Sequence, residues 1–179
     1  GGEMETNGLE LALGLNPTSL LDLGGLDWNM HMTYYTNESE VTKLTVDPYN
    51  YGGFATFLGT YRIEEGVSPT AIVGADYDAD GNHIELGNEN PDFRLSFRNS
   101  LSFGPLSLSF LIDHKEGGHA INLANLIYDL GATTADYEEN GSRTAVLGGG
   151  STAPYVESTT YTALRDLSLT YSLPAGLTE

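Results

Sequence analysis

Residues 92–113 read DFRLSFRNSLSFGPLSLSFLID, two alternating segments joined at Gly104–Pro105. Apolar side chains, among them Phe97 and Phe110, alternate with polar side chains that are mostly serine. A period of two places these two sets on opposite faces of a β-strand. The stretch therefore predicts a β-hairpin with one apolar face and one polar face.

The same alternation recurs in three further segments, residues 8–15, 25–36 and 165–173. Strands of about ten residues are longer than the usual five or six of soluble sheets, and a tilted strand of that length can cross a bilayer. The pattern is typical of a barrel with a lipid-facing exterior and a water-filled lumen. A soluble β-sandwich with one buried face would show the same alternation.

The connections between these segments favour the membrane barrel. Residues 16–24 and the Gly104–Pro105 turn are short, whereas residues 36–91 and 115–160 form long loops. Outer-membrane barrels have short periplasmic turns and long extracellular loops, while a sandwich has comparable loops at both ends. The sequence predicts an all-β segment of a large antiparallel transmembrane β-barrel, with residues 1–179 forming part of one barrel domain.

Composition limits the partners and the chemistry. The chain carries 25 acidic and 7 basic residues, a formal net charge of -18, which argues against nucleic acid because phosphate binding needs clustered Lys and Arg. It has no Cys, and it contains neither a G-x-S-x-G elbow nor a phosphate-binding loop, so we expect no enzymatic activity. Within the long loops we expect a hairpin at 57–77 and a helical stretch at 120–130.

Residues 76–84, DYDADGNHI, form a candidate calcium loop. Its candidate ligands are three alternating carboxylates and one beyond the turn: Asp76, Asp78, Asp80 and Glu85. Hard cations take several oxygens on one concave turn, and Gly81 lets the chain reverse sharply. Gly87 stands where an EF-hand loop carries its closing Glu, so Glu85 or Asp92 would complete the shell. The alternative is a solvated acidic turn in a chain that is acidic throughout.

Four side chains on the polar faces of two predicted strands are candidate lumen-facing residues: Asn29, His31, Arg94 and Arg98. We expect the two arginines to pair with carboxylates on the same face. The alternative is an ordinary ion pair with no role in substrate binding.

Six short motifs occur in order along the chain. They are NGLEL (7–11), DWN with NESEVTKL (27–29, 37–44), DYDADG (76–81), GNENPDF (87–93), SLSFLID with GG (107–113, 117–118), and YVE with LRDLSLTYSLP (155–157, 164–174). This series resembles the C-terminal half of SusC/RagA-type TonB-dependent outer-membrane transporters. The resemblance implies the late part of a barrel of about 22 strands in a bacterial outer membrane, surrounded by lipid.

The resemblance also implies import of oligosaccharides or peptides, powered through TonB and assisted by a SusD-like surface lipoprotein. TonB would act through an N-terminal region outside this sequence. Five or six strands cannot close so large a barrel, and open edges cannot face lipid, so we expect a segment of a longer polypeptide. The competing hypothesis is a secreted acidic β-sandwich that binds carbohydrate and carries a calcium loop. It explains the Asp-rich loop and the tyrosines but not the long strands.

Overall fold

A computed structural model describes residues 1–139 and 141–174. The strands in chain order are β1 (Gly2–Leu15), β2 (Leu26–Leu44), β3 (Tyr49–Tyr51), β4 (Thr60–Ile63), β5 (Ala71–Tyr77), β6 (His83–Asn88), β7 (Pro91–Phe103), β8 (Leu106–Gly117), β9 (His119–Ile121), β10 (Val156–Ser158) and β11 (Tyr161–Tyr171). The α-helices are α1 (Leu123–Leu130), α2 (Ala135–Glu139) and α3 (Ser142–Gly148). In the described part of the chain, no helix is long and apolar enough to span a membrane.

The strands form three sheets. The largest has five strands in the order β1-β2-β7-β8-β11, the second has the order β3-β4-β5-β6, and β9 pairs with β10. The mainly antiparallel β-architecture confirms the coarse prediction of fold class.

The register between β2 and β7 separates the two predicted faces. Trp28 pairs with Leu101 and Met32 with Phe97. His31, which lies between Trp28 and Met32 in the sequence, is opposite Arg98. Directly opposed residues of antiparallel strands point to the same face, so apolar side chains meet apolar ones and polar side chains meet polar ones.

The pairing of β8 with β11 contains a bulge at Arg165. Before the bulge, Leu164 lies opposite Ile112; beyond it, Leu167 lies opposite Phe110. The extra residue shifts the alternation by one position, and Leu164 thereby joins the apolar face.

The chain divides into two compact units. The acidic unit contains residues 1–7, 37–92 and 117–159, and the sheet unit contains residues 8–36, 93–116 and 160–179. The acidic unit carries 18 of the 25 acidic residues and 3 of the 7 basic ones. Most of the negative charge of the chain therefore lies in one unit.

The hydrophobic core lies in the acidic unit. Its buried apolar side chains are Val41, Ala71, Ile72, Val73, Leu126 and Tyr155. In the sheet unit, the single buried residue among those described is the polar Asn99. The apolar side chains of that unit keep part of their surface uncovered within this chain.

The regions expected to be long loops contain more secondary structure than predicted. Residues 36–91 hold the end of β2 and the whole of β3 to β6, and residues 115–160 hold β9, three helices and β10. The hairpin expected at 57–77 is present as β4 and β5. The helix expected at 120–130 is present from Leu123 onwards as α1, whereas Ala120 and Ile121 belong to β9. Asn122 caps α1 by accepting a hydrogen bond from the Asn125 amide at 3.0 Å.

Candidate functional site

The four candidate lumen-facing residues lie on one face of the five-stranded sheet. Asn29 and His31 are on β2, and Arg94 and Arg98 are on β7; all four side chains are exposed. His31 lies opposite Arg98, and Asn29 lies opposite Ser100. Arg94 lies opposite Tyr35. The structure therefore brings together the residues that the sequence placed on a common polar face.

Small hydrogen-bonded groups fill the rest of this polar face. Asn16 donates to the Asn29 side chain at 2.8 Å, and Asn29 donates to Asp27 at 3.2 Å. The Thr33 and Ser96 hydroxyls are hydrogen-bonded across β2 and β7. Such a surface is well suited to contact with water and polar solutes.

A carboxylate cluster on β8 and β11 was missed by the sequence analysis. Asp113 accepts hydrogen bonds from the Tyr161 hydroxyl at 2.8 Å and from Arg165 Nε at 3.1 Å. The Arg165 guanidinium also lies 5.0 Å from the centre of the Tyr161 ring, a cation–π distance. Arg165 stands at the bulge, whose position is not visible in the alternating sequence.

The expected ion pairs of the two β7 arginines are absent from the described residues. Neither Arg94 nor Arg98 has a carboxylate oxygen within 4.0 Å there, and Asp113 pairs with Arg165 instead. Arg94 interacts with Asp113 electrostatically over a longer distance, so the pairing of these arginines with carboxylates stays a prediction. Both guanidinium groups remain open to solvent.

The opposite face of the sheet is apolar and uncovered. Leu169 is 68% exposed, Leu167 63% and Leu11 55%. Exposed leucines at both edge strands are more apolar surface than water contact favours, which is typical of an interaction surface. Asn99 is a polar residue on this face, and its side-chain oxygen accepts a hydrogen bond from Trp28 Nε1 at 3.1 Å.

The candidate calcium loop uses its first two aspartates to hold the backbone. Asp78 accepts hydrogen bonds from the backbone amides of Asp80 at 2.9 Å and Asn82 at 2.8 Å. Hydrogen bonds from Asn82, first from its side chain and then from its backbone, lower the pKa of Asp78. Asp76 accepts the Thr152 amide at 2.8 Å. Asp78 therefore stabilises the turn itself, whereas Asp76 binds a backbone amide from a distant part of the chain.

The four predicted ligands do not converge. Residues 1–139 and 141–174 contain no group of three or more His, Asp or Glu side chains placed to hold a metal ion. Glu85 lies on β6 opposite Val73 of β5, away from the Asp78 turn in the hairpin register. At Gly87, a Cβ atom would come within 2.6 Å of the His119 ring, so close packing explains the glycine where an EF-hand would carry its closing Glu.

A buried carboxylate on α1 connects this helix to α3 and to Tyr155 within the acidic unit. Asp129 of α1 is fully buried and receives Arg143 Nε at 2.8 Å and a second Arg143 nitrogen at 2.9 Å. The Tyr155 hydroxyl donates to it at 2.9 Å, and the Thr134 hydroxyl donates to its other oxygen. These donors, Arg143 above all, lower the pKa of Asp129 to about 2 against the opposing effect of burial. Both carboxylate oxygens are occupied, so the cluster is structural.

Thr152 forms a second buried connection, between the segment after α3 and the four-stranded sheet. Its hydroxyl accepts the Ala75 amide at 2.9 Å and donates to the Phe57 carbonyl at 3.0 Å. A Cβ atom on Gly74 would lie 2.3 Å from the Thr152 side chain, so a side chain at position 74 would prevent these two segments from packing this closely. Asp76 serves this connection, which explains why it is turned away from the predicted calcium loop.

Neither a scan against protein-family models nor a search of curated proteins finds a match for this chain.

Proposed function

We propose that this chain is a segment of a TonB-dependent transporter in a bacterial outer membrane, which imports oligosaccharides or peptides together with a SusD-like surface lipoprotein. The observation that carries the proposal is the two-faced sheet: one face of Leu and Phe, with the leucines of the outer strands exposed, and the other face of small polar groups. The ordered motifs that resemble the SusC/RagA family supply the specific transporter class.

The uncovered apolar face favours lipid as its surroundings. Each Å² of apolar surface removed from water contributes about 25 cal/mol, so side chains such as Leu167 and Leu169 would be strongly stabilised by hydrocarbon. A sandwich needs a second layer over this face, and within the described residues these leucines stay more than half exposed. The secreted carbohydrate-binding sandwich is therefore the weaker candidate.

Strand length agrees with a membrane crossing. β11 has 11 residues, which extend to about 36 Å and, at a tilt of about 40°, span about 28 Å of bilayer normal. The hydrocarbon core of a bilayer is about 30 Å thick. β7 and β8 are slightly longer, with 13 and 12 residues.

The polar face would line the aqueous lumen in this proposal. Asn29, His31, Arg94 and Arg98 would meet the passing solute, and the carboxylate of Asp113 would be held by Arg165. TonB would act through a plug region outside these residues, and the long connections would belong to the extracellular mouth that the lipoprotein covers. No step of this mechanism requires a catalytic group or a metal ion.

Spin labels along β11 test the proposal directly. The chain has no Cys, so single replacements Ser168→Cys and Leu169→Cys can be labelled in the native polypeptide after any other Cys is removed. In outer-membrane vesicles, the label at 169 should collide with oxygen dissolved in lipid, and the label at 168 with a water-soluble nickel complex. Equal access of the nickel complex to both labels would overturn the membrane assignment.

Purification from the source membrane tests the length of the polypeptide and its association with a surface lipoprotein. The polypeptide in the source membrane should have a mass several times 19.2 kDa and should copurify with a lipidated surface protein. A polypeptide that migrates with the soluble fraction would contradict the proposal and leave the secreted sandwich.

A further inference from the structure

An open cavity of about 350 Å³ is lined by residues of the acidic unit. Its apolar lining residues are Val41, Leu44, Val46, Tyr49, Ile63 and Pro69. The start of β1, residues 1–4, forms the remaining wall. The volume is at the lower end of the range of ligand pockets, about 300–1,000 Å³, so it can enclose one large apolar group.

The cavity has a fixed floor and accessible walls. Val41 is buried, its amide donates to the Val67 carbonyl at 3.0 Å, and its carbonyl accepts the Gly66 amide at 2.8 Å. By contrast, Val46 is 57% and Tyr49 48% exposed. A cavity whose backbone is already hydrogen-bonded needs little ordering when a ligand enters.

The surroundings of the cavity are acidic. Glu3 is one of its lining residues, and the Glu65 carboxylate accepts the backbone amide of Leu44 on the cavity wall at 3.1 Å. Lys43 is the only lysine of the unit and is already paired with Glu3 at 2.8 Å. With 18 acidic and 3 basic residues, the unit attracts cations over distances of about one Debye length, roughly 8 Å in physiological salt.

We infer that this cavity binds a basic polypeptide segment that inserts one large apolar side chain, flanked by Lys or Arg. The apolar lining matches the inserted side chain, and the acidic unit matches the flanking charges. An acidic segment would be repelled, and a small neutral molecule would make no use of the charge. This inference concerns the acidic unit alone and does not depend on the transport proposal.

Fluorescence anisotropy of a labelled Arg-Lys-Trp-Lys-Arg peptide tests the inference on the intact purified protein. Burial of the indole should make binding about tenfold or more tighter than that of the peptide with Gly in place of Trp. A Glu-Glu-Trp-Glu-Glu peptide should not bind. Raising the salt should weaken the binding of the basic peptide.

Variants locate the binding to the cavity. Tyr49→Ala should raise the dissociation constant about tenfold, whereas Tyr49→Phe, which keeps the ring, should bind nearly as the parent does. Phe54→Ala is the matched control, because Phe54 is an exposed aromatic residue of the same unit outside the cavity lining, and it should leave binding unchanged. Equal affinity of the Trp and Gly peptides, an unchanged constant in Tyr49→Ala, or no binding would each overturn the inference.

Discussion

Replacing Thr152 by valine should release the segment after α3 from the four-stranded sheet. Thr152 is fully buried, and its hydroxyl bridges the Ala75 amide and the Phe57 carbonyl at 2.9 and 3.0 Å. Valine has nearly the same shape but no hydroxyl, so it keeps the packing and removes both hydrogen bonds. The variant therefore isolates the polar contribution of this position.

The magnitude follows from the two groups that lose their partner. A buried donor or acceptor without a hydrogen bond costs about 1–3 kcal/mol, so the two together should cost about 2–6 kcal/mol. Thr152→Ser keeps the hydroxyl and removes one methyl group, which should cost about 1 kcal/mol. The valine variant should therefore be the less stable of the two, although it is the better match in volume.

Hydrogen exchange followed by mass spectrometry reports the local opening of β5. At the lower bound of about 2 kcal/mol, amides in residues 71–77 should exchange about 30-fold faster in Thr152→Val, and about fivefold faster in Thr152→Ser. Exchange on β7 in the sheet unit provides the internal reference. If valine and serine accelerated exchange equally, or if valine had no effect, the hydroxyl would not hold this connection.

Three further predictions follow from the same structure. Gly74→Ala should also accelerate exchange in β5, because its Cβ atom would overlap the Thr152 side chain. Leu169→Arg should lower the stability of the membrane-inserted protein by about 2–4 kcal/mol, measured by urea unfolding in vesicles, whereas Ser168→Arg should change it little; equal effects would contradict the assigned faces. Asp129 has a folded-state pKa of about 2, below the unfolded value of about 3.9, so its stabilisation is complete above pH 4 and disappears as the pH falls towards 2. Pepsin should begin to cleave residues 123–139 within that window, and Asp129→Asn should already be cleaved at pH 4.5.

The faces of the long strands were predictable because alternation is a local property. The serine-rich positions of 92–113 and the apolar positions between them determine which side chains share a face, whatever the partner strand is. The pairing of β2 with β7 was not predicted, but it keeps the predicted faces together, with Met32 opposite Phe97 and His31 opposite Arg98. The bulge at Arg165 was not predictable, because one extra residue in a strand leaves no mark in the composition.

The acidic unit was less predictable because its contacts join distant parts of the chain. Residues 71–74, AIVG, form a continuous buried run without alternation, which a search for period two does not detect. The Asp76 carboxylate is bound by the amide of Thr152, 76 residues further along, and Gly87 faces the His119 ring. The spacing of the acidic residues suggested cation ligands, but it could not show that Asp76 and Gly87 have partners far away in the sequence.

The exposure of the apolar face means that the sheet unit and the acidic unit tolerate different amino-acid substitutions. Leu126 sits in a filled core, where a smaller side chain leaves a void and a larger one overlaps its neighbours. Leu169 is 68% exposed within this chain, so Val, Ile or Phe would leave neither void nor overlap. During evolution, the outward apolar residues of β11 should therefore be replaced often, but by other hydrophobic residues. Residues in the core of the acidic unit should change mainly in pairs, because each replacement there must be compensated by a neighbour.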